Sequence, residues 1–402
     1  MVWGRILTEL AGLQDAAPAG SPGAVVNPIV GGPYIVDTCC AAAVFASEYQ
    51  RSGDERWQKR ANDAVTAIRS AGLFRGIHEP AWDVFGWHDV PDSLTATGIA
   101  MDAYCEALDR LGLARNADRV GDLTDFVLKC RTKKGGFAHN ALTPGQHAAE
   151  VLNATASALK MLGRLSRGEA TKGRYGGGEL DTILRRIGRG QSASGFWPYF
   201  SPRSTLRKVL DIPFKDVLMP HRYPRYLRAG DWGDITHHAM TLYFAAGYVS
   251  SFPTTAGAQV VASGWAWIRK RLVSEKGHSA AIDWTIDPVP GAPQYSNARD
   301  TNAYFLILGT LPHLTLLGIL DEAECNALAQ ALLAHIGSAL MTEPGQAPCV
   351  APCEGPREVV RNVLPMFEQS VAWKGRLAAE VILALEKDSR SEPPVVVRGE
   401  PG

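Results

Sequence analysis

The chain has 402 residues, 46% of them apolar and 20% charged, with a formal net charge of zero. This composition predicts a sizeable core and little disorder. The neutral balance argues against a nucleic-acid binder, whose domain is normally basic. No apolar run is long enough to cross a membrane. The seven cysteines are scattered, with Cys39 and Cys40 adjacent, and do not resemble a disulfide framework. A reducing, cytoplasmic setting is therefore expected.

From the N-terminus, "MVWGRILTELAGLQDAAPAG" carries an apolar patch interrupted by Arg5 and Glu9. It predicts a short amphipathic helix rather than a signal peptide, followed by a Pro/Gly loop that ends near residue 30. A long repeat then begins. Five segments start at Val36, Thr95, Asn153, Asp234 and Asp300, each with a threonine near its start and small or apolar residues at helical spacing. Those threonines are Thr38, Thr97, Thr155, Thr236 and Thr301. A sixth unit fits "LPMFEQSVAWKGRLAAEVILALEK" from Leu364. The spacing suits one helical hairpin per unit. Asp37, Asn153, Asp234 and Asp300 fall where helix N-caps are expected, and Asp92 lies just upstream of its helix.

The first helix of each unit is apolar nearly all round, which marks a buried helix. The second helices, such as "DERWQKRANDAVTAIRS", are amphipathic and suit an outer layer. Six buried helices inside six amphipathic ones make an all-α (α/α)6 toroid, expected over residues 31–387. Residues 1–30 precede it, 201–230 form an insertion, and 388–402 read as a disordered tail. If the inner helices run in one direction, their N-termini gather at one mouth of the ring. That mouth would collect Asp37, Asp83, Asp89, Asp92, Asp234 and Asp300 together with several His and Trp residues.

"QSASGFW" at Gln191–Trp197 resembles the Gln-x3-Gly-x-Trp repeat of squalene and oxidosqualene cyclases and their prenyltransferase relatives, and "KKGGFAHN" from Lys133 resembles a degenerate copy. In that superfamily the motif joins outer helices of an α/α toroid, so the resemblance implies a structural staple. The Asp-x-Asp-Asp proton donor of class II terpene cyclases is absent, while "GDIT" at Gly233–Thr236 is similar to the Asp-x-Thr of oxidosqualene cyclases. The longer "QSASGFWPYFSP", followed by "DITHHAM", is also similar to a segment of α/α-toroid pectate lyases.

The insertion concentrates Arg203, Arg207, Lys208, Lys215, His221, Arg222, Arg225 and Arg228, with Tyr223, Tyr226 and Trp232 interleaved. Arginine presents a planar fork suited to carboxylate or phosphate, and aromatics offer flat faces to sugar rings. His237 and His238 follow in the first turn of a buried helix, where an imidazole can act as general acid or base. A second dense stretch, "GIHEPAWDVFGWHDVPDSLT" from Gly76, holds His78, Glu79, Trp82, Asp83, Trp87, His88, Asp89 and Asp92. Taken singly, His139, His147, Asp283, Trp284 and Tyr295 are expected to be structural. Cys349 and Cys353 lack a second pair of zinc ligands, and neither metal nor cofactor is expected.

These residues point to an enzyme that applies histidine and carboxylate acid–base chemistry in a toroid cavity. The expected substrate is an anionic, uronate-type saccharide, processed by a lyase, epimerase or hydrolase. The catalytic candidates are His237, His238, Asp234, Asp89, Asp83 and Tyr199. The substrate-binding candidates are Arg222, Arg225, Trp82, Trp87, His88, Trp197, Tyr223 and Trp232. In a lyase or epimerase, Arg222 or Arg225 would neutralise the substrate carboxylate while His237, His238 or Tyr199 removes a proton. In a glycosidase, Asp83, Asp89 or Asp234 would supply the carboxylates. Two alternatives stand beside this reading: a terpene-cyclase-like enzyme with Asp234 as proton donor, and a non-catalytic binding toroid. The partner is a small molecule or oligosaccharide, without nucleic acid or membrane span. The sequence does not indicate an oligomeric state.

Overall fold

The computed structural model describes residues 2–28, 31–71, 92–114, 125–140, 150–167, 177–198, 235–275, 279–282, 301–337 and 370–391. The long helices are α1 (Val2–Asp15), α2 (Ile35–Ser52), α3 (Glu55–Ala71), α4 (Leu94–Leu111), α5 (Leu152–Ser166), α6 (Gly177–Gly190), α7 (Ile235–Ser251), α8 (Thr255–Arg269), α9 (Thr301–Leu316), α10 (Glu322–His335) and α11 (Val371–Ser391). Two short antiparallel ladders accompany them. β1 (Val26–Asn27) pairs with β2 (Gly32–Pro33), and β3 (Leu272–Glu275) pairs with β4 (Ser279–Ile282).

The inner layer is α2, α4, α5, α7, α9 and α11. Each packs on the next, and α11 returns to α2, so the six close a ring. Their burial explains the layer. In α2 every residue from Val36 to Glu48 is buried, and in α4 every residue from Leu94 to Leu108. A helix apolar on all sides is stable only when surrounded by protein. Helices α3, α6, α8 and α10 each bury one stripe against the ring, as Trp57, Ala61, Ala64, Val65 and Ile68 do in α3. The fold is the expected (α/α)6 toroid.

Helix α1 is not an appendage before the ring. It packs on α11 and α2 and provides the outer partner of α11. Ile6, Leu7 and Leu10 are its buried face, and Gly375 permits the approach: a Cβ there would lie 2.8 Å from Ile6 Cγ2. At the other end of the chain, α11 continues through residues 388–391, beyond the expected start of the tail. The insertion at 201–230 and residues 392–402 lie outside the described residues.

The threonine repeat has a specific structural cause. Thr38, Thr97 and Thr155 are the fourth residues of their helices, and each hydroxyl donates back to the carbonyl four residues earlier, at Tyr34, Ser93 and Val151. Thr38 Oγ1 also accepts the Val25 N–H at 3.0 Å, and Thr155 Oγ1 accepts the Phe137 N–H at 3.0 Å. The side chain thus fastens the extended segment that precedes the helix. Thr236 and Thr301 are the second and first residues of α7 and α9 and do not share this register. In α7 the fourth position belongs to His238, whose Nδ1 accepts the Trp197 N–H at 3.1 Å.

Candidate functional site

Three of the fourteen site residues expected from sequence are described: Trp197, His237 and His238. Asp83, Asp89, Asp234, Tyr199, Trp82, Trp87, His88, Arg222, Arg225, Tyr223 and Trp232 lie outside the described residues.

His238 and Trp197 belong to the packing between α7 and α8. His238 is fully buried. Nδ1 accepts the Trp197 N–H, so Nε2 carries the proton and donates to the Gly264 carbonyl at 3.1 Å. The ring lies among Phe196, Trp197 and Trp267, with centroids 4.5–5.4 Å away. Trp197 is also fully buried, and its indole N–H donates to the Ile187 carbonyl at 3.0 Å. Gln191 completes the staple by donating to the carbonyls of Gly195 and Val260. Gly195 adopts φ 93°, and Gly264 faces the Trp197 ring, where a Cβ would fall 2.2 Å from Cζ3. The segment holds outer helices to the ring.

The mouth is built by the first turns of the inner helices. Asp37 was expected to cap α2, but Tyr34 occupies the cap and Asp37 is the third helical residue. Its side chain turns instead to its neighbours. Asn27 Nδ2 donates to Asp37 Oδ2 at 2.9 Å, and Ser370, at the start of α11, also hydrogen-bonds the carboxyl. Burial pushes the Asp37 carboxyl up to about 7, against the opposing pull of these two bonds. Asp92 does not cap α4 either. Ser93 is the cap, with its hydroxyl accepting from Ala96 N–H. Asn153 is the second residue of α5 rather than its cap. Its Oδ1 accepts from Ala154 N–H and its Nδ2 reaches Met240 Sδ on α7 at 3.4 Å.

Helices α11, α2 and α4 are consecutive around the ring. Each carries in its first turn a buried polar atom without a hydrogen-bond partner: Trp373 Nε1, Asp37 Oδ1 and Thr95 Oγ1. An unmet buried polar group costs about 1–3 kcal/mol, so three together call for an explanation.

His237 is the third residue of α7, equivalent to Asp37 in α2, and is half-buried. It lies close enough to His139, on the segment before α5, for its charge to act on that ring. His139 is pulled down to about 4, chiefly by burial and further by His237, with an opposing backbone hydrogen bond. It is therefore a neutral imidazole at neutral pH. The sequence placed His139 among structural residues and Asp37 among caps. An aspartate inside the all-apolar run "VDTCCAAAVFA" was the available signal.

Below the mouth the ring is closed by ion pairs. Arg376 is buried and donates to Asp102 at 2.6 Å and to Glu106 at 2.8 Å. Lys160 and Arg164 approach Asp102 at 3.0 and 2.5 Å. Tyr243 donates to Glu380 at 2.6 Å, and His313 lies 3.2 Å from the same carboxylate. Burial raises the Asp102 carboxyl, but Arg164, Lys160 and Arg376 more than reverse this and hold it well below the usual range. The described residues contain no group of three or more His, Cys, Asp or Glu side chains that could hold a metal ion, and no helix long and apolar enough to cross a membrane.

No protein-family model and no curated protein matches the chain. Solved structures do resemble it in fold. An unsaturated glucuronyl hydrolase specific for heparin aligns with a TM-score of 0.58 at 13% identity, covering 95% of this chain and 96% of that one. A sugar epimerase from a ruminal bacterium aligns with a TM-score of 0.59 at 9% identity, covering 98% and 100%. A polysaccharide lyase aligns with a TM-score of 0.54 at 10% identity, covering 96% and 99%. At these identities the likeness is one of fold.

Proposed function

We propose that this chain is a carbohydrate-processing enzyme that performs acid–base chemistry at the mouth of the toroid, on a saccharide bearing a uronate group. The observation that carries the reading is the set of three unmet polar atoms on consecutive inner helices, Trp373 Nε1, Asp37 Oδ1 and Thr95 Oγ1. They comprise an N–H donor, a hydroxyl and a carboxyl oxygen, which suits a ligand rich in hydroxyl groups. Structures of similar fold include a glucuronyl hydrolase, a polysaccharide lyase and a sugar epimerase, which supports a saccharide over other polyols. Fold alone does not fix chemistry, so the reading rests on the residues.

Asp37 is the proposed acid. A carboxyl raised to about 7 is largely protonated in mildly acidic solution and can deliver that proton to a reacting sugar. His237 is the proposed base. Arg222 and Arg225 remain the proposed partners of the uronate carboxylate. The test is a panel of saturated and unsaturated uronic-acid oligosaccharides and reducing disaccharides, followed by absorbance, reducing-end formation and sugar identity, with wild type beside His237→Ala. Turnover of a uronate-bearing member, lost in the variant, supports the proposal. If wild type turns over no member of the panel, the saccharide reading fails.

A further inference from the structure

The two oxygens of Asp37 have different surroundings. Asn27 Nδ2 donates to Oδ2 at 2.9 Å. Ser370 is a second donor to the carboxyl, while Oδ1 has no hydrogen-bond partner. The Ser370 hydroxyl oxygen accepts the Trp373 N–H at 3.0 Å as the first-turn cap of α11.

We propose that Asn27 is a positioning residue that engages Oδ2 and so fixes the acidic proton of Asp37 on Oδ1, the oxygen free of protein partners, with Ser370 as a second donor to the same carboxyl. An oxygen that accepts a hydrogen bond from an amide N–H acts as the carbonyl or charged oxygen of the group, so the proton resides on the other. The inference rests on the proposed role of Asp37 as the acid, and it adds the orientation of that acid. Elements packed on α2 supply other charges: Arg376 of α11 pairs with Asp102 and Glu106 of α4, and Lys374 of α11 is fully buried. On α2 itself, Cys39 and Cys40 are thiols held above their usual range, mainly by burial. The described structure thus assigns the tuning of Asp37 to burial and to these two donors.

Both donors favour the ionised carboxylate, so removing either raises the Asp37 midpoint. The experiment is a carbon-13 NMR titration of the intact protein labelled at aspartate carboxyls, with the Asp37 signal assigned by its loss in Asp37→Asn. Asn27→Ala and Ser370→Ala should each raise the midpoint by about one pH unit, the worth of one hydrogen bond to a charged group. Ser370→Thr, which keeps the hydroxyl, should restore it. The alkaline limb of kcat/KM should move up by the same amount in the alanine variants. If Ser370→Ala does not fold without its cap, Asn27→Ala and the milder Asn27→Ser carry the test. Midpoints unmoved in the Asn27 variants overturn the inference, even in an active enzyme. Shifted midpoints in a protein that turns over no saccharide uphold it and sink the proposed function instead.

Discussion

His238 Nδ1 accepts the backbone N–H of Trp197, the same bond that Thr38 accepts from Val25 and Thr155 from Phe137. The three acceptors occupy the fourth position of their helices. The three donors each lie two residues after a glycine with positive φ: Gly23, Gly135 and Gly195. One device therefore recurs around the ring, and the histidine in it is a structural substitute for threonine.

His238→Ala should accordingly lower stability. It leaves the buried Trp197 N–H and the Gly264 carbonyl without their partner and opens space among three aromatic rings. About 2–4 kcal/mol is expected, read as a lower denaturant midpoint. His237→Ala, at a half-buried neighbour, should cost under about 1 kcal/mol while removing activity. Equal destabilisation by the two variants would contradict the division of roles drawn here.

Gly264→Ala tests the staple from the other side. Its Cβ would meet the Trp197 ring at 2.2 Å, so the ring or α8 must move. Overpacking of this kind costs about 1–3 kcal/mol. Thermal melts should show the loss, together with altered Trp197 fluorescence. A melt like that of wild type would mean that the contact yields freely.

Asp37 links stability to pH with a definite sign. Its carboxyl rises from 3.8 to about 7 on folding, so the folded state holds the proton more tightly. Stability is lost as pH climbs from about 4 to about 7. Asp37→Asn, which cannot ionise, should escape that loss. The variant should gain on wild type across this window by as much as about 4 kcal/mol in urea titrations at both ends. A difference independent of pH would place the carboxyl at its ordinary value. His139 acts oppositely. Its folded value of about 4 lies below the usual 6.5, so stability is lost as pH falls through that interval.

Arg376→Met should be among the most damaging single changes. It removes the fully buried cation shared by Asp102 and Glu106, leaving them to Lys160 and Arg164 and to Arg110, a defect of up to about 3–5 kcal/mol. Lowering the pH protonates the carboxylates and should narrow the gap between variant and wild type. Glu380 is drawn down to about 2 by Lys160, His313 and Arg376 despite the opposing effect of burial. The stability its charge contributes is present above about 4.5 and disappears toward 2. An Arg376→Met protein as stable as wild type at neutral pH would show that the pairs contribute no net stability.

The architecture was legible because the inner helices are apolar on every side and the outer ones on a single stripe, a difference visible in "CCAAAVFA" against "DERWQKRANDAVTAIRS". The threonine repeat was legible at Thr38, Thr97 and Thr155, where local spacing and structural register coincide. It slipped at Thr236 because the fourth position of α7 is His238, and a change of residue type hides register. The outer role of α1 could not be read, since it depends on the N-terminus meeting α11 across the whole chain. Asp37 looked like a cap because caps and first-turn residues share composition. Only the tertiary partners Asn27 and Ser370 separate the two roles.

The central claim is that Asp37 is the acid of a saccharide-processing site. The most direct measurement is the kcat of wild type and Asp37→Asn on whichever uronate-bearing oligosaccharide the panel yields, with folding of both checked by circular dichroism. The account predicts a loss of about 100-fold or more, the scale of general acid catalysis, with KM little changed. A folded Asp37→Asn protein that keeps the wild-type kcat would contradict it.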